Sequence, residues 1–465
     1  MRPLLPPMID GAPLVGSAPA FFRDPLGVIE AGRRTHGPLF GLRLGPMRAA
    51  VILDPARANA MLDLPESTLA VRPVYQWVKP MFGEVMQAAP YADYLAQRAA
   101  LVPALRGAHL GGYLRVMADE AAAWTAGLGA TGTFDAVRDL ERLSMNIALR
   151  LFLGADIQAR LGARVRSLFL DVAAGMEVFL PANFPAPRLL RRNRARRKLF
   201  ALLRPEIQAV RADPDPERYG FFAHLVAASD TGTAGPAFDD ETVIGLILIL
   251  VYAAYESSAA QLAWVLILLL QHPRWLATVT AEVETGLPEK LGGTTTAELH
   301  RLENLGRCIT EAQRIRPATS MLTRRAVADV PLGSYTVPRG WTLFFCPPVT
   351  HRDPETFPDP DAFDPDRFDP QRDPAGRAAA ALLNLGAGSH ACLGGRFAET
   401  EMKLTLAVLL RQYTVDLVEP DPRPAGGVGI ARPAAPCPVR YRLRTAEKGR
   451  THDAGSSADH DRVHR

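Results

Sequence analysis

The chain is poor in the groups that would make it a disulfide scaffold, a zinc module or a polyelectrolyte. It has four cysteines in 465 residues, Cys308, Cys346, Cys392 and Cys437. They are widely spaced, with no CxxC pair and no histidine ladder beside them, which excludes the usual closed zinc site and argues against a disulfide framework. The formal net charge is only +4, too little for a nucleic-acid footprint on a protein of this size. The opening "MRPLLPPMIDGAPLVG" breaks every apolar run with proline, so neither a signal peptide nor a membrane anchor is expected, and the expected location is the cytoplasm. What the chain has in quantity is apolar surface: 48% of residues are hydrophobic, enough to build a large globular core.

Its organisation is mostly helical. "DPLGVIEAGRRTHG" carries helical spacing and stops at a glycine, and "LFGLRLGPMRAAVILD" reads as two short strands about a Gly45-Pro46 turn. Amphipathic periods recur over 114–128, 139–153, 157–176, 195–211 and 274–287, with no internal repeat. Strand signals return in "YTVPRGWTLFFCP", with Pro338-Arg339-Gly340 as a turn, and an aperiodic stretch rich in Asp and Pro covers 353–374. A last helix is expected from just after Cys392, at Leu393, to about Tyr413. Residues 1–445 are expected to form a single catalytic domain. The tail 446–465 is small, polar and charged, and is expected to be disordered.

One segment, "VIGLILILVYAAYESSAAQLAWVLILLL" (243–270), is nearly long and apolar enough to span a bilayer. Glu256, Ser257, Ser258 and Gln261 sit at its middle, where a carboxylate costs roughly 2.5–3.5 kcal/mol on insertion scales. A helix that is apolar all round with polar groups only at its centre is expected to run through a soluble core and turn that patch toward an internal site.

The chemistry concentrates in "LNLGAGSHACLGG" (383–395). Glycines at 386, 388, 394 and 395 clear side chains from around Cys392, as the close approach of a flat, bulky partner requires. Backbone N–H groups at the start of the following helix favour a thiolate there. One soft ligand without protein co-ligands implies that a cofactor completes the coordination sphere; the alternative is a buried structural cysteine beside a glycine turn. Glu311 and Arg314 in "EAQR" share a helical face and can pair, with Arg367 of "PDRF" as a second cation; taken alone, such a pair is more often a solvated one.

Together these residues resemble the cytochrome P-450 family of haem-thiolate monooxygenases over essentially the whole chain to Thr445. The family's haem loop, Phe-x-x-Gly-x-x-x-Cys-x-Gly, is matched by Leu385, Gly388, Cys392 and Gly394. Its ExxR pair is matched by Glu311 and Arg314, its following Arg by Arg367, and its oxygen-activating Ala-Gly-x-acid-Thr segment by Ala253, Ala254, Glu256 and Ser257. Within the family the pattern is most similar to sterol 14-demethylases and related bacterial enzymes, on "VYQWVKPMFGE", "PAPRLLRRNRAR", "GAGSHACLGGRFA" and "PCPVRYRLRT". Three departures stand out. Glu256 replaces the demethylases' His, Ser257 replaces their usual Thr, and Leu385 replaces the haem-loop Phe.

The resemblance implies a mainly α fold with small β-sheets and a long central helix over haem b (iron protoporphyrin IX). It implies Cys392 as axial thiolate and metal ligand, with Gly386 and Gly394 in the loop around it. Tyr75, Arg324 and His390 fall at haem-propionate contacts, and the shortened 85–100 stretch leaves Gln97 or Arg98 for another. Glu311, Arg314 and Arg367 form a structural network. Glu256 is the implied proton relay and Ser257 the hydrogen-bond partner of bound O2. The implied activity is insertion of oxygen into a C–H bond of a small lipophilic substrate such as a sterol, terpenoid or polyketide. Lacking flavin or iron–sulfur motifs, the chain takes electrons from a ferredoxin or flavodoxin with its reductase, and Arg396 and Lys403 are candidate docking cations. Competing readings are a haem-thiolate enzyme that uses peroxide or couples and cyclises its substrate, and, from a different class, a cofactor-free helical membrane or interaction protein.

Overall fold

The computed structural model describes residues 4–105, 109–177, 180–231, 238–425 and 429–444; the tail expected at 446–465 lies outside them. The expected mainly α architecture with small sheets is the one observed. The amphipathic periods correspond to helices His109–Ala126, Arg138–Leu153, Ala155–Ala173, Pro187–Ala212 and Pro273–Gly286. Two of these begin at proline, whose missing N–H costs nothing in the first turn. Pro187–Ala212 starts well before its periodicity does, because its first turns, "PRLLRRNR", are dominated by arginine.

The long central helix, Asp240–Gln271, is capped by Asp239, whose carboxylate accepts the Thr242 N–H at 2.7 Å. Its side chains from Val243 to Leu269 are buried on nearly every face. By length and composition it is the one helix among the described residues that could cross a membrane. It is buried instead because Arg138–Leu153, Gly395–Gln412 and other helices pack around it. Gly245 allows one of these approaches, since a Cβ there would stand 2.1 Å from the Phe82 carbonyl oxygen. The main apolar cluster extends from Val78 to Tyr441.

Among the described residues ten strands make three sheets: β1 (Leu39–Leu44), β2 (Met47–Ile52), β3 (Leu69–Ala70), β4 (Thr131–Asp135), β5 (Leu322–Ala326), β6 (Val330–Leu332), β7 (Tyr335–Val337), β8 (Thr342–Phe345), β9 (Tyr413–Leu417) and β10 (Pro438–Leu443). The largest has the order β1-β2-β8-β5-β3, with β2 and β8 parallel and the other pairs antiparallel. The turn at Pro338-Arg339-Gly340 carries the chain from one sheet to another, because β7 pairs with β6 while β8 pairs with β2 and β5. The aperiodic 353–374 stretch has only a short helical turn, Pro365–Phe368, and is held in place by side chains described below.

Candidate haem-thiolate site

The loop around Cys392 is closed by its own backbone. The Cys392 amide donates to the Leu385 carbonyl at 2.8 Å, Gly386 N–H to Leu383 at 2.9 Å, and Ala391 N–H to Gly388 at 3.1 Å. Gly386 and Gly388 both have φ near +65°, which glycine adopts without a Cβ penalty. At Gly388 a side chain is excluded twice over, since a Cβ would lie 2.9 Å from both the Leu62 carbonyl oxygen and Asp63 Oδ1. The final helix begins at Gly395 rather than Leu393, because Leu393 and Gly394 complete the turn. Even so, the Gly394 and Gly395 N–H groups both donate to the Cys392 sulfur. Burial pushes the thiol's pKa up, while those two donors and the Arg98 guanidinium pull it down. The residue as a whole is exposed, although its thiol is desolvated by the surrounding loop.

Helix Tyr91–Ala104 grips the loop from one side. Tyr94 Oη donates to the Ser389 carbonyl at 2.7 Å, and Arg98 Nη1 donates to the Ala391 carbonyl at 3.0 Å. Gln97 faces elsewhere: its amide oxygen accepts the Met86 N–H and its amide nitrogen donates to the Glu84 carbonyl. Of the two candidates, only Arg98 reaches the loop. His390 stacks on Tyr94, with ring centroids 4.4 Å apart, and pairs through Nε2 with Glu66 at 2.5 Å. Its buried Nδ1 has no partner among the described residues. Tyr75 and Arg324 adjoin each other, the buried phenol's pKa raised by desolvation and lowered in part by the Arg324 charge. Arg324 is buried, donates to the Thr323 carbonyl at 2.9 Å, and forms no ion pair among the described residues. Burial lowers its pKa.

These features are a fit test for haem. A soft sulfur with two backbone donors, a buried guanidinium without a carboxylate and an orphaned imidazole nitrogen are the groups that a haem iron and its two propionates would satisfy. Cys392, Arg98, Tyr75, Arg324 and His390 therefore fit the group, and Gly386 and Gly394 give it backbone clearance.

Behind the loop, all five N–H donors of Arg314 are used, two on Glu311 (2.7 and 2.8 Å) and three on the carbonyls of His351, Pro360 and Ala362. Both side chains are fully buried. Arg367 stands 3.5 Å from Glu311 and donates to the Pro358 and Asp359 carbonyls. The pair thus orders the Asp/Pro-rich stretch by supplying the hydrogen bonds that regular structure would otherwise provide. It also reaches the haem loop. Desolvation pushes His351 down to about 3, so its imidazole stays neutral and accepts the Leu383 N–H at 2.8 Å.

On the central helix, Ala253 is exposed between the half-buried Tyr252 and Ala254, and Ser257 Oγ donates to its carbonyl at 2.6 Å. Glu256 is half-buried, and desolvation raises its pKa, opposed mainly by Arg432. Arg432 is itself paired with Glu141 at 2.7 Å. Lys403 is not a docking cation: it is buried, donates to the Leu299 carbonyl at 3.0 Å and pairs with Glu399. Its ammonium is directed at the Leu299 carbonyl and at Gly306 of helix Glu303–Ile315 rather than at solvent. Arg396 is exposed and borders a cavity of about 230 Å³ that reaches Cys392 between helices Glu303–Ile315 and Gly395–Gln412.

The sequence reading missed three residues. Glu66 and Tyr94 carry no local signal, since their partners lie about three hundred residues away. Glu401 did have one. It shares a helical stripe with buried Phe397, Leu404 and Val408, an odd place for a carboxyl group. It is fully buried, accepts the Ser144 hydroxyl at 2.5 Å, and is also bonded by Ser258 of the central helix.

Comparison with known proteins agrees with this geometry. The family model described as Cytochrome P450 matches residues 6–438. An obtusifoliol 14-alpha demethylase of Triticum aestivum is 29% identical over 90% of this chain and 93% of its own length. A pentalenene oxygenase of Streptomyces avermitilis is 30% identical over 94% and 96%. In three dimensions the chain is similar to the retinoic acid bound cyanobacterial CYP120A1, with a TM-score of 0.83 at 23% identity over 96% of this chain and 100% of the other.

Proposed function

The chain belongs to the cytochrome P450 family, and from that premise we propose that it inserts one oxygen atom of O2 into a C–H bond of a sterol- or terpenoid-like substrate, using electrons from separate carriers. It is a haem-dependent monooxygenase; the substrate class, the carriers and the residue roles are the proposal. The substrate class is supported by relatives named as sterol demethylases and as pentalenene oxygenase and cyclooctatin synthase. The observation that carries the residue assignment is the Cys392 sulfur, flanked by two backbone donors and within the field of Arg98.

When bound, the haem supplies oxygen activation and C–H cleavage. The protein does the rest. Cys392 would hold the iron as a thiolate, favoured by the Gly394 and Gly395 N–H groups and by Arg98. Arg324, Arg98 and Tyr75 would hold the propionates, and His390 Nδ1, without a partner among the described residues, would join them while Glu66 holds Nε2. Glu256, whose pKa is raised by desolvation, is the acid assigned to pass a proton toward Ser257, whose hydroxyl donates to the carbonyl of the exposed Ala253 on the same helix. Arg396 at the mouth of the cavity leading to Cys392 suits an acidic ferredoxin or flavodoxin, reduced by its own reductase. Residues 1–445 are read as one catalytic domain, a reading supported by the main apolar cluster, which extends from Val78 to Tyr441, and the cytoplasm is the proposed location.

Spectral titration of the ferric protein against sterols, diterpenes and sesquiterpenes, followed by mass spectrometry of the products, tests the substrate class. A spin-state shift and a product heavier by one oxygen atom are expected. Turnover supported by peroxide alone, or a product that is coupled or cyclised without added oxygen, would overturn the reaction type.

A further inference from the structure

Tyr252 lies one turn before Glu256 on the central helix, and nothing in the mechanism above uses it. Its hydroxyl is 3.5 Å from Met176 Sδ, in the connection after helix Ala155–Ala173, and it also acts on the Glu256 carboxyl, favouring its ionised form. Its ring is held by Phe82 (5.6 Å between centroids), Tyr255 (6.3 Å) and Phe169 (6.5 Å). The phenol oxygen is thereby fixed, and only its hydrogen is free to turn between two acceptors.

Those acceptors differ greatly in strength. A thioether is a weak acceptor, while a carboxylate accepts one of the stronger hydrogen bonds available to a phenol. The other titratable and charged groups acting on Glu256 are Arg432, Glu141 and Tyr255. Arg432 is already paired with Glu141, so part of its field is cancelled, and the Glu141 charge opposes ionisation of Glu256. Tyr252 is the neutral donor left to meet a charge forming on Glu256.

We propose that Tyr252 is the positioning residue of the proton relay: its hydroxyl hydrogen turns from Met176 to Glu256 when that acid gives up its proton, and turns back when the acid is refilled. This rests on Glu256 being the relay acid. The step balances with the O2 and electrons of the proposed reaction. Glu256 passes a proton to the Ser257 hydroxyl as that hydroxyl releases its own toward the O2 being reduced by the supplied electrons, the resulting carboxylate accepts the Tyr252 O–H, and a proton taken up from bulk solvent refills Glu256. The exchange lowers the cost of delivery by stabilising the charge left behind, and Met176 keeps the hydroxyl satisfied in between.

The test uses ferric holoenzyme of wild type, Tyr252→Phe, Met176→Leu and Glu256→Gln. The Glu256 carboxyl is titrated by its infrared C=O stretch, assigned by its loss in Glu256→Gln. NADPH oxidation with ferredoxin, its reductase and O2 is followed against pH in parallel. Losing the charge-assisted bond should raise the Glu256 pKa in Tyr252→Phe by about one unit and move the alkaline limb of NADPH oxidation up with it. Met176→Leu, which removes the hydroxyl's alternative acceptor, should shift both in the opposite direction. An unmoved carboxyl pKa in both variants, with NADPH oxidation still altered by Glu256→Gln, overturns the role of Tyr252 and leaves the relay standing. Unaltered NADPH oxidation in Glu256→Gln removes the relay itself. If Tyr252→Phe does not fold, the direction of the Met176→Leu shift decides.

Discussion

Replacing Glu401 with glutamine should flatten part of the protein's pH–stability curve. The carboxyl group is fully buried between helices Gly395–Gln412, Arg138–Leu153 and the central helix, with the Ser144 and Ser258 hydroxyls as partners. Desolvation raises its pKa from the ordinary 4.5 to about 7, against the opposing pull of the two hydroxyls. A group whose folded pKa is raised contributes stability that is fully present below the unfolded value and lost as pH rises through the folded one. The wild type should therefore lose stability between 4.5 and about 7. At about 1.4 kcal/mol per pH unit, the loss attributable to this residue is about 3 kcal/mol. Glutamine fills nearly the same volume, accepts the Ser144 hydroxyl and cannot ionise. The assay is urea denaturation of both holoenzymes, followed by far-ultraviolet circular dichroism from about pH 5 to about pH 8. The difference between the two proteins should grow in favour of glutamine as pH rises and level off above about 7. Parallel curves for wild type and variant would refute the reasoning, because they would mean that Glu401 ionises alike in folded and unfolded chains.

Other expectations follow from the same geometry. Ser257→Ala should uncouple electron use from product formation, read as product per NADPH with the substrate found by titration, whereas Ser257→Thr should retain coupling because it keeps the hydroxyl. Arg314→Lys should cost about 3–5 kcal/mol and impair haem retention. One ammonium group cannot replace five donors that satisfy Glu311 and three carbonyls, and the change is read as a lowered denaturation midpoint with loss of Soret absorbance on gel filtration. Gly388→Ala should likewise weaken haem retention, since it adds a Cβ at positive φ against the Leu62 carbonyl; the haem-to-protein absorbance ratio after purification checks it.

The parts legible in the sequence were those with local or motif-scale signals. The central helix was readable because an apolar run with polar residues only at its middle has few other solutions. The haem loop was readable because glycine at 386 and 388 is required by backbone shape, not merely tolerated. The site's tertiary partners were not readable. Nothing near "LPESTL" indicates that Glu66 will meet His390, and Lys403 looks like a surface cation until the fold turns it toward the Leu299 carbonyl. The turn at 338–340 was visible, but not that it separates two sheets, because strand pairing is decided by residues such as Ala49 to Ile52 far upstream. The ordering of 353–374 is carried by Arg314 and Arg367, side chains that a local period cannot register.

The central claim is thiolate ligation of haem by Cys392, and the carbon monoxide difference spectrum of the reduced holoenzyme tests it most directly. The wild type should show the strongly red-shifted Soret band of a thiolate-ligated haem, and Cys392→Ser should lose it while still binding some haem through Arg324, Arg98 and Tyr75. A wild-type band at the position of an imidazole-ligated or ligand-free haem, or an unchanged red-shifted band in Cys392→Ser, would contradict the account.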